Sequence, residues 1–427
     1  MIWTTEQLDQ FVERSDELGG PTAQPCQEFW SDFSYRPNYK VNQALDPFSE
    51  AYVQEQTRLY DEIAGHAYDV RRDEQTSFDL PAHIGAPTPY NHPDPANLAM
   101  HLQRLSRALR CAGARKGEHL LDMGCGWGLS SELAAYIGLT VTAVDINPLF
   151  IRLVNERAVQ GNRSISGVVS SFEDYRVDPP VDIVLFYECL HHAVRPWHVL
   201  AQLTRALGDQ GRIILAGEPI NDFWWKHWGL RLDAVSIYCI RKFGWFESGF
   251  SLKFISLALH RSGLRPVAHS DADSVIGVTV IGQLSPVQEL LGHDCIDLFD
   301  AHGCFQDGTA AIFVGNSGLT LLFPVGSTSL TLYFSNFIGR PLSTAIEQDG
   351  HLLLEGDLGA GPIEIHVKRE RDSTDLKFQV ESWIPDDELK NGDRRTIGIH
   401  LQKIIFNKIF DEVYFGINSI NLNFFYV

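Results

Sequence analysis

The chain has no run of lysine or arginine longer than two, and its 35 basic residues are outnumbered by 54 acidic ones. A formal charge of −19 repels a phosphate backbone unless a dedicated basic stripe overrides it, so no nucleic-acid partner is expected. No stretch reaches the roughly 18 apolar residues of a membrane-spanning helix, so no transmembrane segment is expected either. The N-terminal MIWTTEQLDQFVERSDELGG lacks the basic start and apolar run of a secretory signal. The seven cysteines are odd in number and scattered, without the close spacing of a zinc site or a disulfide framework. A reducing, cytoplasmic setting is the resulting expectation.

What remains is an ordinary globular balance, 44% hydrophobic and 21% charged, over 427 residues. That length allows two or three domains at roughly 150 residues each. Residues 1–95 read as a helical and irregular cap segment. In it, Asp46-Pro47 followed by FSEAYVQEQTRLYDEIAG predicts a capped helix ending at Gly65, while the proline-rich stretch Leu80 to Pro95 predicts an ordered loop. Residues 96–284 alternate between short apolar runs (119–123, 140–144, 167–169, 182–186 and 212–216) and helical stretches such as 148–161, with Asn147 as its N-cap. Strand-helix alternation predicts a parallel, doubly wound α/β sheet. The runs 264–270 and 275–282 are too close together for a crossover helix and must form an antiparallel hairpin. Residues 285–427 lack helical pattern and predict an all-β sandwich, an accessory domain for glycan binding or homo-oligomer formation. The final FNKIFDEVYFGINSINLNFFYV differs in composition from everything before it.

The sharpest motif is Asp122-Met-Gly124-Cys125-Gly126-Trp-Gly128, set between a predicted strand and a predicted helix. Glycines at such a turn let the backbone approach a ligand with no Cβ in the way. At the end of the next strand Asp145, followed by Ile146 and Asn147, can accept hydrogen bonds from the paired hydroxyls of a ribose. Ser171-Phe172-Glu173-Asp174 follows the third strand, where an adenine would lie. The G-x-G-x-G spacing and the terminal hairpin separate this pattern from a nicotinamide-dinucleotide site, which favours G-x-G-x-x-G.

HLLDMGCGWGLSSELAAYIGLTVTAVDINP resembles the first signature of class I S-adenosylmethionine (SAM)-dependent methyltransferases. VDIVLFYECLHHAVRPWHVL and LGDQGRIILAGEP look like their fourth- and fifth-strand segments, and the likeness extends over residues 96–283. It implies a seven-stranded Rossmann-like sheet with a reversed last strand and SAM as cofactor. It also implies that Asp122 and the glycine loop hold the methionine end, Asp145 the ribose, and Phe172 with its neighbours the adenine. More loosely, YVQEQTRLYDEIAG and the pattern from Asp393 to Ile399 look like methyltransferases of bacterial surface-polysaccharide clusters.

An alcohol acceptor needs a base to take its proton as the new bond forms. Tyr187-Glu188-Cys189-Leu190-His191-His192 falls at the carboxyl edge of the sheet, where ligands bind in such folds. Histidine titrates near neutrality, and His191 is read as the base, with His192 structural and Glu188 beside them. Adjacent histidines usually point apart, so no catalytic metal is expected. Residues 219–248 form an aromatic insertion that holds four of the nine tryptophans. Trp224, Trp225, His227, Trp245 and Glu247 are read as an acceptor wall completed by Tyr90, with Tyr60 and His92 further possibilities. Packing of the same aromatics on the N-terminal segment is the bland alternative. The expected activity is O-methylation of a sugar or glycan hydroxyl. The rivals are methylation of a small amine or natural product, cyclopropanation of lipid chains, and a non-catalytic SAM- or glycan-binding scaffold.

Overall fold

The computed structural model describes residues 2–90, 94–177, 180–223, 225–273, 276–285, 288–336, 341–359, 361–384, 392 and 394–408. The chain divides into two compact units, residues 1–286 and 287–427.

The first unit is built on a seven-stranded sheet: β1 (His119–Met123), β2 (Thr140–Asp145), β3 (Ile165–Val169), β4 (Val181–Tyr187), β5 (Leu207–Ala216), β6 (Leu264–Ser270) and β7 (Val278–Leu284). Its order is β6-β7-β5-β4-β1-β2-β3. The first five strands run parallel, and β7 lies antiparallel between β5 and β6. Along β4, Ile183 and Leu185 pack on one side with Leu105 and Leu109, while Val184 and Phe186 pack on the other with Leu200 and Phe254. Both faces are therefore covered, which is why these strands read as continuous apolar runs rather than alternating ones.

The N-terminal residues share this core. The helix Glu50–Ala64 begins after Ser49, whose hydroxyl accepts from the Tyr52 amide, a few residues later than Asp46-Pro47 predicts. It ends at Gly65 in the left-handed region, as expected of a C-terminal glycine. Tyr52, Gln56, Leu59, Tyr60 and Ile63 are buried along one face. The predicted loop from Leu80 contains a short helix, Leu80–Ile84, because Asp79 caps it and Pro81 sits in its first turn, where a missing N–H costs nothing.

The second unit is β-rich as expected, but its strands form one nine-stranded antiparallel sheet rather than two stacked ones. Its strands are β8 (Gln288–Leu291), β9 (Asp300–Asp307), β10 (Ala310–Leu322), β11 (Ser327–Asn336), β12 (Leu342–Gln348), β13 (His351–Leu358), β14 (Gly361–Lys368), β15 (Ser373–Val380) and β16 (Ile399–Lys408). The path is β13-β12-β15-β10-β16-β11-β14, with β8 on β16 and β9 on β10. The reason lies in β10. Its first residues pair with β16, and from Gly315, at φ +55°, it pairs with β15. A glycine there lets one strand turn a corner and keep the sheet continuous. The sheet curls until Phe334 of β11 and Phe378 of β15 meet at 5.9 Å, although two strands separate them. Asn336 Nδ2 donates to the Leu358 carbonyl at 3.1 Å, and Gln348 Nε2 to that of Lys368 at 2.9 Å, bridging the open side of a nearly closed barrel. The last 19 residues lie outside the described ones.

Candidate functional site

A cavity of about 1040 Å³ opens beyond the carboxyl ends of β1, β2 and β4. That position is the usual ligand crevice of a parallel sheet. Gly124 and Gly126 form one wall, both with positive φ (+66° and +46°). A Cβ on Gly124 would stand 2.9 Å from Cys189 Sγ and 3.2 Å from the Phe172 ring, so only glycine fits between them. A Cβ on Gly126 would meet no atom within 4 Å. A side chain at this cavity-lining position would have room only on the open side. Gly128 caps the helix Leu129–Tyr136, and the Cys125 amide bonds the Val144 carbonyl, so both hold the loop without lining the cavity.

Asp145 closes β2 and faces the cavity. Its Oδ2 accepts from the Gly126 amide at 2.9 Å and its Oδ1 from the Asn147 amide at 2.8 Å. Burial pushes its carboxyl up to about 6, against those two bonds. Asn147 turns away, capping its helix through the Leu149 amide and donating to the Thr76 carbonyl at 2.7 Å. Ile146, Ser171, Phe172 and Glu173 line the cavity. Asp122 does not. It is fully buried, and one oxygen takes the hydroxyls of Ser130 and Ser131, so it braces the helix after the glycine loop. Tyr187 also points elsewhere, to His101 Nδ1 at 2.6 Å.

The segment after β4 departs from the reading of its histidines. His191, the expected base, is buried and absent from the cavity wall, while His192 lines it. His191 Nδ1 lies 2.9 Å from Glu218 Oε2, and Nε2 lies 3.7 Å from Glu247 Oε2. Nδ1 is thus within hydrogen-bond distance of a carboxylate, while Nε2 has one nearby but beyond that distance. His192 Nδ1 lies 3.2 Å from Glu74 Oε2. Burial works against the charged ring, but Glu74 first, then Glu247 and Glu218, raise its pKa to about 9. Glu188, also on the wall, adopts φ +52° and pairs with Arg104 at 2.6 Å; burial pushes its carboxyl up to about 7. Glu74 was missed in the sequence, where it follows Arg71-Arg72-Asp73 and looks like a solvated charge run. Its other oxygen accepts from Tyr68 Oη at 3.1 Å and the Phe246 amide at 2.8 Å.

Among the described residues, His191, His192 and Glu247 bring ligand atoms within 4.8 Å of one another. Glu218 lies 2.9 Å from His191 and Arg231 lies 3.4 Å from Glu247, so two of the three already have protein partners.

The aromatic insertion mostly serves the core. Trp228 is fully buried and donates to the Pro47 carbonyl at 2.8 Å, and Trp225 donates to the Leu230 carbonyl at 2.8 Å. Among the described residues of the expected acceptor wall, Trp245 alone lines the cavity; Trp225, His227, Glu247 and Tyr90 do not. Tyr60 is buried, donating to the Gly244 carbonyl. Trp224, His92 and Asp393 lie outside the described residues. In place of the aromatic wall stands the helix Glu50–Ala64, whose Glu50, Gln54, Thr57, Arg58 and Asp61 face the cavity at helical spacing.

Residues 121–215, from β1 to the end of β5, match the family model described as a methyltransferase domain. This region is a methyltransferase domain. Over 119 residues the chain is 31% identical to a ubiquinone biosynthesis O-methyltransferase of Xanthomonas euvesicatoria, covering 27% of this chain and 48% of that protein. Over 118 residues it is 30% identical to the mitochondrial enzyme of the same name in Schizosaccharomyces pombe, covering 27% and 43%. The chain thus spans about half the length of the curated relatives it matches. Among solved structures it is similar to the magnesium protoporphyrin IX methyltransferase of Synechocystis PCC 6803 with bound SAM, at 16% identity and a TM-score of 0.38, covering 51% of this chain and 99% of that one.

Proposed function

We propose that this protein methylates a hydroxyl oxygen, with SAM as donor and His192, paired with Glu74, taking the proton. The placement of His192 on the cavity wall beside the glycine loop and Asp145 carries this reading. SAM supplies an electrophilic methyl group, and the chain's residues bind, orient and deprotonate around it. The glycine loop fits a ligand that needs close backbone approach, and the Asp145 carboxylate, pinned by two amides, presents a fixed acceptor to ribose hydroxyls. The acid-rich wall of Glu74, Asp145, Glu173 and Glu188 suits a cationic cofactor.

For the acceptor, a sugar hydroxyl is supported by the polar stripe of Gln54, Thr57, Arg58 and Asp61, whose donors and acceptors match a polyhydroxy compound. The named relatives favour a second reading, a hydroxyl on a ubiquinone precursor. The test is methyl transfer from labelled SAM to nucleotide-linked sugars, glycan ends, quinol precursors and aminosugars, with and without chelator. Transfer to a hydroxyl acceptor that persists under chelation is expected. Transfer only to amines, or loss on chelation with recovery on added magnesium, would overturn the hydroxyl or the metal-free chemistry respectively.

The second unit is proposed to contribute nothing to cofactor binding. A chain ending after residue 286 and the full chain are expected to bind S-adenosylhomocysteine, the demethylated cofactor, with the same affinity. A folded fragment that binds none in calorimetry would refute this independence.

A further inference from the structure

The proposed function leaves unexplained a buried glutamate just past β5. Glu218 has no solvent exposure at its side chain. Its Oε1 accepts from the amides of Cys189 and Leu190, each at 2.9 Å. Its Oε2 accepts from the amide of His191 at 3.1 Å and lies 2.9 Å from the Nδ1 of the same residue. One carboxylate thus gathers three consecutive backbone N–H groups and a ring nitrogen. A carboxylate so placed is held by charge-assisted hydrogen bonds short enough to fix a loop conformation. Burial opposes its ionisation, yet His191 and the amides hold its carboxyl below the usual range.

The segment it gathers is the turn that enters the cavity. Glu188, at φ +52°, precedes the three amides, and His192 follows them. On the far side Ser248 Oγ donates to the His191 carbonyl at 2.6 Å, from a strand of the aromatic insertion (Ser248–Phe250). The insertion therefore braces the turn from one side while Glu218 braces it from the other. The two histidine rings lie side by side, 4.3 Å between centroids and 35° between planes, so fixing His191 against Glu218 also sets the ring of His192 that packs on it.

We propose that Glu218, with His191 and Ser248, is the positioning element that directs His192 into the cavity and against Glu74. This rests on the reading of His192 as the base, and the element itself touches neither cofactor nor acceptor. Shortening the acid by one methylene keeps its charge but withdraws it from some of the amides, and misplacement of a catalytic group by about 1 Å can cost ~10²-fold.

The experiment follows the His192 imidazole by NMR in the full-length protein with S-adenosylhomocysteine bound, the resonance being assigned by its loss in His192→Asn. The groups facing that ring are Glu74, Glu247, Glu218 and Asp145, with the His191 ring 4.3 Å away and Trp245 beyond it. Glu218→Asp leaves all these charges in place. Its His192 midpoint is expected to fall by about one pH unit or more, a tenfold loss of proton affinity, as the Glu74 contact loosens. Ser248→Ala, neutral and smaller in effect, is expected to move it the same way and serves if Glu218→Asp fails to fold. S-adenosylhomocysteine affinity should fall by less than about tenfold in both, because the Gly126 and Asn147 amides hold Asp145 independently, although Cys189 of the turn packs against Gly124. A folded Glu218→Asp protein with the wild-type midpoint, or an unchanged midpoint in Ser248→Ala if only that variant folds, would overturn the proposal. Full methyl transfer by His192→Asn would instead remove the base assignment and leave the positioning result standing.

Discussion

His192→Ala is expected to lower methyl transfer by ~10²- to 10⁴-fold while S-adenosylhomocysteine affinity barely moves. The ring is on the cavity wall, and its partner Glu74 is tied down by Tyr68 and the Phe246 amide, so the pair is oriented before any acceptor arrives. The pH profile gives the same reading independently. With a midpoint of about 9, the ring is mostly imidazolium at neutral pH, and only the neutral form accepts a proton. The rate should therefore rise ~tenfold per pH unit from about 7 and level off near 9. Because the folded midpoint lies above the unfolded one of about 6.5, the ion pair stabilises the fold fully below that value. That contribution is lost as pH rises through about 9. A flat profile between pH 6 and 9, or full activity in the alanine variant, would remove His192 from the chemistry. In contrast, His191→Ala should appear first as a loss of melting temperature, since it leaves the buried Glu218 and Glu247 without their shared partner.

Asp145→Ala is expected to weaken S-adenosylhomocysteine binding by ~5- to 150-fold, or about 1–3 kcal/mol, through loss of charge-assisted bonds to the ribose. The same carboxylate accepts from the Gly126 amide, so the variant also loosens the loop that it fixes. Its carboxyl is raised to about 6 by burial, and affinity should fall as pH drops through that value, where the carboxylate takes up a proton. Calorimetry that finds wild-type affinity in Asp145→Ala would end the assignment of Asp145 to the ribose.

The parallel strands, the closing hairpin and the glycine loop were legible because each depends on local chemistry. A short connection between two apolar runs forbids a crossover, and the structure has that hairpin, with Leu264 opposite Leu284. Glycines at 124 and 126 advertise positive φ, which the chain adopts there. The two readings of the aromatic insertion could not be separated in the sequence, for a converse reason. Trp228 and Phe246 have the same composition whether they line a pocket or fill a core, and only their burial against Tyr52 and Tyr60 decides between the two. In the second unit, alternating strands imply a buried face, but whether they make two sheets or one depends on the corner at Gly315.

By itself, then, the sequence determined the parallel sheet, its reversed last strand, the glycine cradle and Asp145, each encoded by residues close together in the chain. Which histidine faces the cavity was decided by tertiary structure alone. Glu218 follows His191 by 27 residues and Glu74 precedes His192 by 118, and no local pattern says that the first carboxylate captures one ring and the second meets its neighbour. Two adjacent residues of one type are equivalent in sequence. They become different only when the folded chain surrounds one with buried carboxylates and opens a cavity before the other.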